Sequence, residues 1–269
     1  MQCTQLRILI ANQLYGNFDR HEKDPYVKLA RIQGNPSRAI YKLSDLNSMA
    51  ANFITRKRGK SEGKGIIQPG STVLDLGAAP GGWSKFTAEQ IKQGGILIAV
   101  DLLPLDEGTV TAIERNLHSP TFHVIQGDFT SRKVKEEIVK LVSINTLNDE
   151  QEICGVSLII SDMAPNFTGD KMTDALQTIN LCEDALMLAA GSNCFDERYI
   201  PGTNRHEDGL LKRGGSFLCK YFACGPDNEK DLMTAIKRHF ELSTVFKPKA
   251  SRKESAELYL FATGFKGGK

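Results

Sequence analysis

The stretch of the chain that points most directly to chemistry is VLDLGAAPGGWSK at residues 73–85. A short apolar strand leads there into a glycine-rich turn, and a helix follows. Glycine has no β-carbon, so Gly77, Gly81 and Gly82 allow the backbone to approach a ligand closely, as in doubly wound α/β folds. The run therefore predicts a pocket for a nucleotide-like cofactor at the carboxyl end of the strand.

The spacing within this turn narrows the choice of cofactor. The form GxxxGG is neither the GxGxxG of dinucleotide-binding enzymes nor a P-loop, and Pro80 and Trp83 give little reason to expect a pyrophosphate. The next strand-like run ends in Asp101, where a ribose diol would lie, and a third is followed by Asp128. These features favour a nucleoside with a cationic tail, such as S-adenosylmethionine. Taken singly, either aspartate could instead cap a helix.

The motifs require a sheet whose strands end side by side. Two helices are predicted first, over 24–34 and from Ser37 onward. Residues 56–65 are predicted to form a loop, and residues 191–209 an inserted surface loop. Strands and helices then alternate, which favours a largely parallel sheet. A final antiparallel pair is predicted over STVFKPKASRKESAELYLFATGF. The predicted fold is α/β and Rossmann-like, with a mixed sheet of about seven strands and helices on both faces.

Length and composition set broad limits on the class of protein. The chain has 269 residues, 41% of them hydrophobic and 25% charged, which fits one α/β domain over residues 1–269. No apolar run is long enough to predict a membrane span. The six cysteines form no CxxC pair and have no histidine at zinc spacing, so we expect reduced, buried thiols and no structural metal.

The charge distribution is more informative than the net charge of +2. Residues 1–60 carry 11 Lys and Arg against 4 Asp and Glu, and residues 237–269 carry 8 against 3. The centre of the chain is therefore acidic, with a basic segment at either end. Such ends could simply keep the protein in solution, but beside a cofactor pocket they favour a polyanionic partner such as RNA.

Six ordered motifs together resemble the RrmJ/FtsJ family of ribosomal RNA 2′-O-ribose methyltransferases. They are DLGAAPGGWSK, VDLLP, GDF, SDMAPN at 161–166, GGSFLCK at 214–220 and SRKESAELYLFATG at 251–264. The likeness runs from about Arg20 to Gly264. The FLCK and SRKES segments look most similar to the mitochondrial branch of the family, which methylates a uridine ribose in large-subunit ribosomal RNA.

The resemblance implies transfer of a methyl group from S-adenosylmethionine, carried out around four residues. Lys42, Asp162, Lys220 and Glu257 match the Lys-Asp-Lys-Glu tetrad of the family. Lys220 would accept the proton of the ribose hydroxyl, and the other three would orient the ribose and the lysine amine. The implied cofactor contacts are Gly77, Pro80, Gly81, Gly82, Trp83, Asp101, Leu102, Asp128, Phe129 and Asp162, although the Trp83 ring could instead fill the core.

The implied partner is ribosomal RNA within a large-subunit particle. We expect the protein to act as a monomer and to bind no membrane. The expected RNA contacts are Arg38, Lys247, Lys249, Arg252 and Lys253. Residues 1–20 are compatible with a presequence remnant or with a flexible N-terminus. The resemblance to the mitochondrial branch leads us to expect a mitochondrial location, with a cytoplasmic or nucleolar one as the alternative. Three other functions stay open: methylation of tRNA or an mRNA cap, RNA binding by a catalytically weak ribosome-assembly factor, and methylation of a small molecule.

Overall fold

The computed structural model of the chain describes residues 24–59, 65–116, 118–146, 155–196, 209–252 and 254–267. Helices and strands alternate through most of these ranges. In chain order they are α1 Pro25–Ile32, α2 Ala39–Arg58, β1 Thr72–Leu76, α3 Gly82–Ile91, β2 Ile96–Asp101, α4 Glu107–Glu114, β3 Thr121–Gln126, α5 Arg132–Thr146, β4 Val156–Ser161, α6 Lys171–Ala190, β5 Leu211–Phe222, α7 Pro226–His239, β6 Phe240–Phe246 and β7 Glu257–Phe265.

The strands form one seven-stranded sheet in the order β3-β2-β1-β4-β5-β7-β6. The first five are parallel, and β7 runs antiparallel to both β5 and β6. The strand order reverses between β1 and β4, which is the topological switch point where α/β sheets bind their ligands. The predicted mixed α/β sheet, with its antiparallel pair at the end of the chain, is confirmed.

Apolar side chains cover both faces of this sheet. All five residues of β1 are buried, as expected for a parallel strand with helices on either side. Leu74 and Ile98 belong to a core cluster that includes α5, α6 and α7. Val73 and Leu97 belong to a second cluster, on the opposite face, that includes α2 and α3. The sheet edge at the switch point is therefore held rigidly from two sides.

Helix α2 continues further than the sequence predicted. It extends to Arg58 and ends at Gly59, which adopts the left-handed backbone conformation at φ 65° that suits a helix C-cap. The expected loop over 56–65 is therefore wrong for its first three residues, because the helix is anchored by apolar residues on one face. At its start, the Ser37 hydroxyl accepts from the Ala39 amide at 3.3 Å.

The expected surface loop over 191–209 also needs correction where the structure describes it. Cys194 is fully buried and belongs to the core, and its carbonyl oxygen lies 2.6 Å from Nε2 of His239. The segment thus reaches the core at Gly191 and Cys194, whereas Ser192, Asn193 and Asp196 are exposed, as the prediction of a surface loop requires. Residues 197–208 lie outside the described residues, as do the expected presequence region 1–20, Cys3 and Cys154.

Cysteines 182, 194 and 219 are free and buried, and Cys224 is free and partly buried. In the described part of the chain, no helix combines the length and apolar character that crossing a membrane requires.

We expect the packing of α2 on the sheet to depend on Leu46, which is fully buried. Leu46→Ala should lower the free energy of unfolding by about 2–5 kcal/mol, because it leaves a cavity under the sheet. Ile32→Ala is the matched control, since Ile32 is 81% exposed at the end of α1, and should change stability by less than about 0.5 kcal/mol. Urea denaturation measures both, and equal effects of the two variants would contradict the assigned packing.

Candidate active site

The four tetrad residues come from four separate elements and meet at one place. Lys42 lies in the first turns of α2, Asp162 directly follows β4, Lys220 lies near the end of β5, and Glu257 begins β7. Two ion pairs join them: Lys42 Nζ is 2.7 Å from Glu257 Oε2, and Lys220 Nζ is 3.0 Å from Asp162 Oδ1. The geometry thus brings together residues more than two hundred positions apart in sequence.

The Lys220 amine is held twice by Asp162. Besides the ion pair, Lys220 Nζ donates to the main-chain oxygen of Asp162 at 2.6 Å. The side chain is only 8% exposed. An ammonium has three N–H donors, so these two contacts define its position while leaving one further donor direction.

Tyr259 is a part of the site that the sequence reasoning missed. Its hydroxyl donates to Asp162 Oδ1 at 2.9 Å, so this oxygen is bound by both Tyr259 and Lys220. Burial, followed by the negative charges of Asp162 and Glu257, holds the pKa of Tyr259 well above its ordinary value. The phenol therefore stays a donor. Its sequence signal was its spacing of two from Glu257, which places both side chains on one face of β7.

The charge state of Asp162 is set by its neighbours. Burial favours the neutral acid, but the positive charges of Lys220 and Lys42, with the hydrogen bonds from Lys220 and Tyr259, hold the pKa of Asp162 below its ordinary value. Asp162 is therefore a carboxylate at neutral pH, and it gives the lysine amines a fixed negative partner.

Glu257 is fixed on its other side by Ser251. The Ser251 hydroxyl donates to Glu257 Oε1 at 2.6 Å, while Oε2 binds Lys42. Ser251 is buried, like Glu257 itself. The residue stands in the SRKES motif, but the motif alone did not show this role.

Trp83 connects the glycine-rich turn with the tetrad. Its ring is 3% exposed, lies 5.9 Å from the ring of Tyr259 and donates from Nε1 to the carbonyl oxygen of Ala39 at 2.9 Å. The sequence left two roles open for the Trp83 ring, contact with the cofactor and packing in the core. In the structure the ring is packed in the core. The ring thereby fixes the start of α2, which carries Lys42, against α3.

The glycine-rich turn lies close to the loop after β4. A β-carbon at Gly77 would stand 3.0 Å from the backbone of Met163, and the φ of Gly77 is +76°. Both observations require glycine there. Asp101 shapes the same turn from β2, since its Oδ2 accepts from the Ala79 amide at 2.9 Å and its Oδ1 from the Leu103 amide at 2.8 Å.

Three further predicted cofactor contacts, Leu102, Asp128 and Phe129, have different surroundings. Leu102 is 67% exposed beside Asp101, and Asp128 is exposed with Oδ1 accepting from the Thr130 amide at 2.8 Å. Asp128 thus shapes the turn that follows β3, and its predicted contact with the cofactor stays a prediction. Phe129 is 7% exposed and its ring belongs to the core, while its predicted place at the cofactor stays a prediction.

Asp75 lies inside β1 beneath the turn and is fully buried. Its Oδ2 accepts from the Ser84 hydroxyl at 2.7 Å, while Oδ1 has no hydrogen-bond partner. Burial raises the pKa of Asp75 to about 7, although the bond from Ser84 acts in the opposite direction. The hydrogen bond from Ser84, a residue of α3, therefore joins β1 to this helix.

The two basic segments expected to contact RNA meet at Asp24. This buried carboxylate forms ion pairs with Arg38 and, at 3.4 Å, with Arg252, and Arg38 also donates to the carbonyl oxygen of Ala250. Arg252 lies in the basic connection between β6 and β7, five residues before Glu257, so the meeting point borders the tetrad. Lys247 and Lys249 are exposed on the same connection, and Lys253 lies outside the described residues.

A family model described as FtsJ-like methyltransferase matches residues 36–265. The chain belongs to this family. Curated relatives named ribosomal RNA large subunit methyltransferase E are 34% identical over 249 residues in Coxiella burnetii, covering 93% of this chain and 94% of the relative, and 33% identical over 245 residues in Legionella pneumophila, covering 91% and 93%.

Among solved structures, the fold is similar to that of a Plasmodium falciparum protein assigned as a ribosomal RNA methyltransferase. The two superpose with a TM-score of 0.52 at 20% identity, covering 86% of this chain and 99% of that chain. This likeness supports the Rossmann-like fold.

The cofactor of this methyltransferase is S-adenosylmethionine, and the residues at the switch point fit it. Asp101 offers carboxylate oxygens for the ribose hydroxyls, and the exposed side chains of Leu102 and Leu103 offer apolar surface beside them for the adenine. The turn at 77–82 lies between that surface and Asp162. When bound, S-adenosylmethionine supplies an electrophilic methyl group on a sulfonium centre.

We expect Asp75→Asn to change how stability depends on pH. The folded-state pKa of about 7 lies above the unfolded value, so the favourable contribution of Asp75 is complete at acidic pH and is lost as the pH rises toward 7. An asparagine oxygen can still accept from Ser84. From pH 5 to pH 8 the variant should gain about 2–3 kcal/mol of unfolding free energy relative to the wild type.

Denaturant titrations at both pH values measure this gain. The control is Asp227→Asn, which removes an exposed carboxylate at the start of α7. An equal pH response in the two variants would show that burial of Asp75 is not its cause.

Proposed function

We propose that this protein transfers a methyl group from S-adenosylmethionine to the 2′-hydroxyl of a uridine ribose in large-subunit ribosomal RNA, with Lys220 as the general base. The observation that carries the proposal is the pair of crossed ion pairs, Lys42 with Glu257 and Lys220 with Asp162, next to the glycine-rich turn. The two curated relatives are named as large-subunit ribosomal RNA methyltransferases, which supports this choice of RNA.

The reaction needs a base because a ribose hydroxyl is a very weak acid. Lys220 would act after its ammonium has released one proton to solvent: the neutral amine would accept the proton of the 2′-hydroxyl, and bound S-adenosylmethionine would supply the methyl group to the 2′-oxygen, with the sulfur leaving as a neutral thioether. Two contacts from Asp162 hold that amine in position, so little orientational freedom is left to lose in the transition state. The proton then leaves Lys220 to solvent.

Lys42 has a different part in this proposal. Glu257 and Ser251 fix its amine at the edge of the site, where an ammonium can donate to the hydroxyls of a ribose. Lys42 is therefore assigned to orienting the sugar.

RNA binding is assigned to the basic surface around Asp24. Arg38 and Arg252 converge there. In sequence, Lys247, Lys249 and Lys253 belong with Arg252 to the connection between β6 and β7. Basic side chains bordering a catalytic site are what contacts to phosphates require. We further propose that the enzyme acts as a monomer on a large-subunit particle, and that it does so in mitochondria. The FLCK and SRKES segments support the mitochondrial assignment, which microscopy of the tagged full-length chain tests.

We expect Lys220→Ala to lower the rate of methyl transfer by at least about 100-fold, the low end of what general-base catalysis contributes. Lys220→Arg is the sharper variant, because its guanidinium keeps the positive charge beside Asp162 but does not give up its proton. It should be as inactive as the alanine variant, with S-adenosylmethionine affinity preserved. Radiolabelled methyl transfer and calorimetry measure the two quantities, and Lys140→Ala, an exposed lysine on α5, is the control.

The same assay, run on ribosomal particles, free ribosomal RNA, tRNA and capped mRNA, tests the substrate. Methylation confined to tRNA or the cap would overturn the choice of ribosomal RNA, and RNA binding without any transfer would identify an assembly factor. Full activity of Lys220→Arg would remove Lys220 as the base. Mapping the modified ribose then tests the assignment to a uridine.

We expect RNA affinity to fall steeply with salt, because each phosphate contact releases counterions. Arg252→Ala should reduce the slope of log K against log salt by about 0.7–0.9, the contribution of one contact. Arg132→Ala, on the exposed surface of α5, should leave the slope unchanged. Filter binding over a series of salt concentrations measures the slopes, and a flat dependence for the wild type would contradict phosphate binding altogether.

A further inference from the structure

An aromatic pair with one exposed ring lies directly beside the tetrad and has no part in the mechanism above. The rings of Phe167 and Phe222 are stacked, with centroids 5.6 Å apart and an angle of 4° between their planes. Phe167 is 55% exposed, which is unusual for a side chain of this size and polarity. Parallel rings at this centroid distance are offset, so Phe222 supports the Phe167 ring while more than half of the Phe167 side chain stays open to solvent.

The sheet register places Phe222 next to the reacting groups. In the antiparallel pairing of β5 with β7, Phe222 stands opposite Glu257, and Lys220 stands opposite Tyr259. Residues directly opposite each other, and residues two apart on one strand, share a face of the sheet. Phe222 therefore lies on the same face as Lys220 and Glu257, one step further toward the carboxyl end of β5.

Phe167 reaches the same place from the neighbouring strand. It lies on the loop after β4, five residues beyond Asp162, whose side chain binds Lys220. In the sheet order, β5 lies beyond β4 on the side away from β1, whereas Asp101 and the cofactor turn lie toward β2. The aromatic pair is thus on the acceptor side of the tetrad and not on the cofactor side.

Helix α6 holds both aromatic residues in place through their backbones. Asp174 accepts from the Thr168 amide at 2.7 Å and from the Gly169 amide at 3.2 Å, which fixes the loop next to Phe167. Thr178 accepts from the Phe222 amide at 2.8 Å. Positions 174 and 178 are one turn apart on the same side of the helix. The stacked pair is therefore preorganised and does not have to be ordered by a ligand.

We infer that Phe167, backed by Phe222, is a stacking platform for a nucleobase of the RNA, either that of the methylated nucleotide or its direct neighbour. An open aromatic face beside a site that handles a ribose suits a base, because every base has a π-face to stack on a ring. The inference rests on the proposed function and adds to it how the acceptor nucleotide is held. The platform is aromatic and uncharged, so its contribution is distinct from that of the arginines around Asp24.

The test compares Phe167→Ala, Phe167→Leu and Phe167→Trp. Loss of stacking should weaken binding of protein-free ribosomal RNA and lower kcat/KM for RNA by roughly 5- to 150-fold in the alanine variant. The leucine variant should stay impaired because it has bulk but no aromatic face, and the tryptophan variant should recover activity. S-adenosylmethionine affinity and the salt slope of RNA binding should match the wild type, since no phosphate contact is removed.

Ile144→Ala is the matched control, because Ile144 is an exposed apolar residue on α5 with 58% exposure. Wild-type kinetics from Phe167→Ala, or full activity from Phe167→Leu, would overturn the platform. A defect seen on ribosomal particles but absent on protein-free RNA would also overturn it, because it would identify a protein contact. Failure of the wild type to methylate any RNA is a separate result, which removes the proposed function itself.

Discussion

The site depends on the double contact between Asp162 and Lys220. A lysine amine in a buried position needs a partner, and here the carboxylate and the main-chain oxygen of the same residue supply it at 3.0 and 2.6 Å. Asp162 directly follows β4, beside the turn after β1, while Lys220 lies on the next strand. The contact therefore fixes the distance between the cofactor side and the acceptor side of the sheet edge.

The remaining members of the site are held relative to this contact. Tyr259 binds Asp162 and packs against Trp83, and Trp83 in turn anchors the start of α2 at Ala39. That helix carries Lys42, whose amine is tied to Glu257. A chain of hydrogen bonds and ring contacts thus runs from Lys220, through the glycine-rich segment, to Lys42. The site consequently behaves as one packed unit and not as four independent side chains.

Much of this arrangement could be predicted because short-range sequence patterns indicate it. The alternation of strands and helices, the final antiparallel pair and the glycine-rich turn each have a short-range signal, and all were found in the structure. The tetrad could be selected only through the family resemblance, since nothing in the spacing of Lys42 and Glu257 along the chain indicates that they meet. Tyr259 and Ser251 escaped notice because their roles come from long-range contacts.

The errors have the same origin. Composition predicted a loop over 56–65, but burial of one helical face by the sheet extended α2 through Arg58. Turn residues predicted a surface insertion from 191, but Cys194 reaches the core. In each case tertiary packing decided the outcome.

The shared carboxylate at Asp24 has a consequence for selectivity. Two guanidinium groups already have an internal anion, so a passing phosphate competes with that carboxylate instead of meeting bare positive charge. The binding free energy of a single phosphate contact is too small to offset the loss of an ion pair with Asp24. In the proposed RNA complex, only a polymer that engages several points of the surface together would do so, and this would disfavour short or wrongly shaped nucleic acids before any sugar reaches the amine.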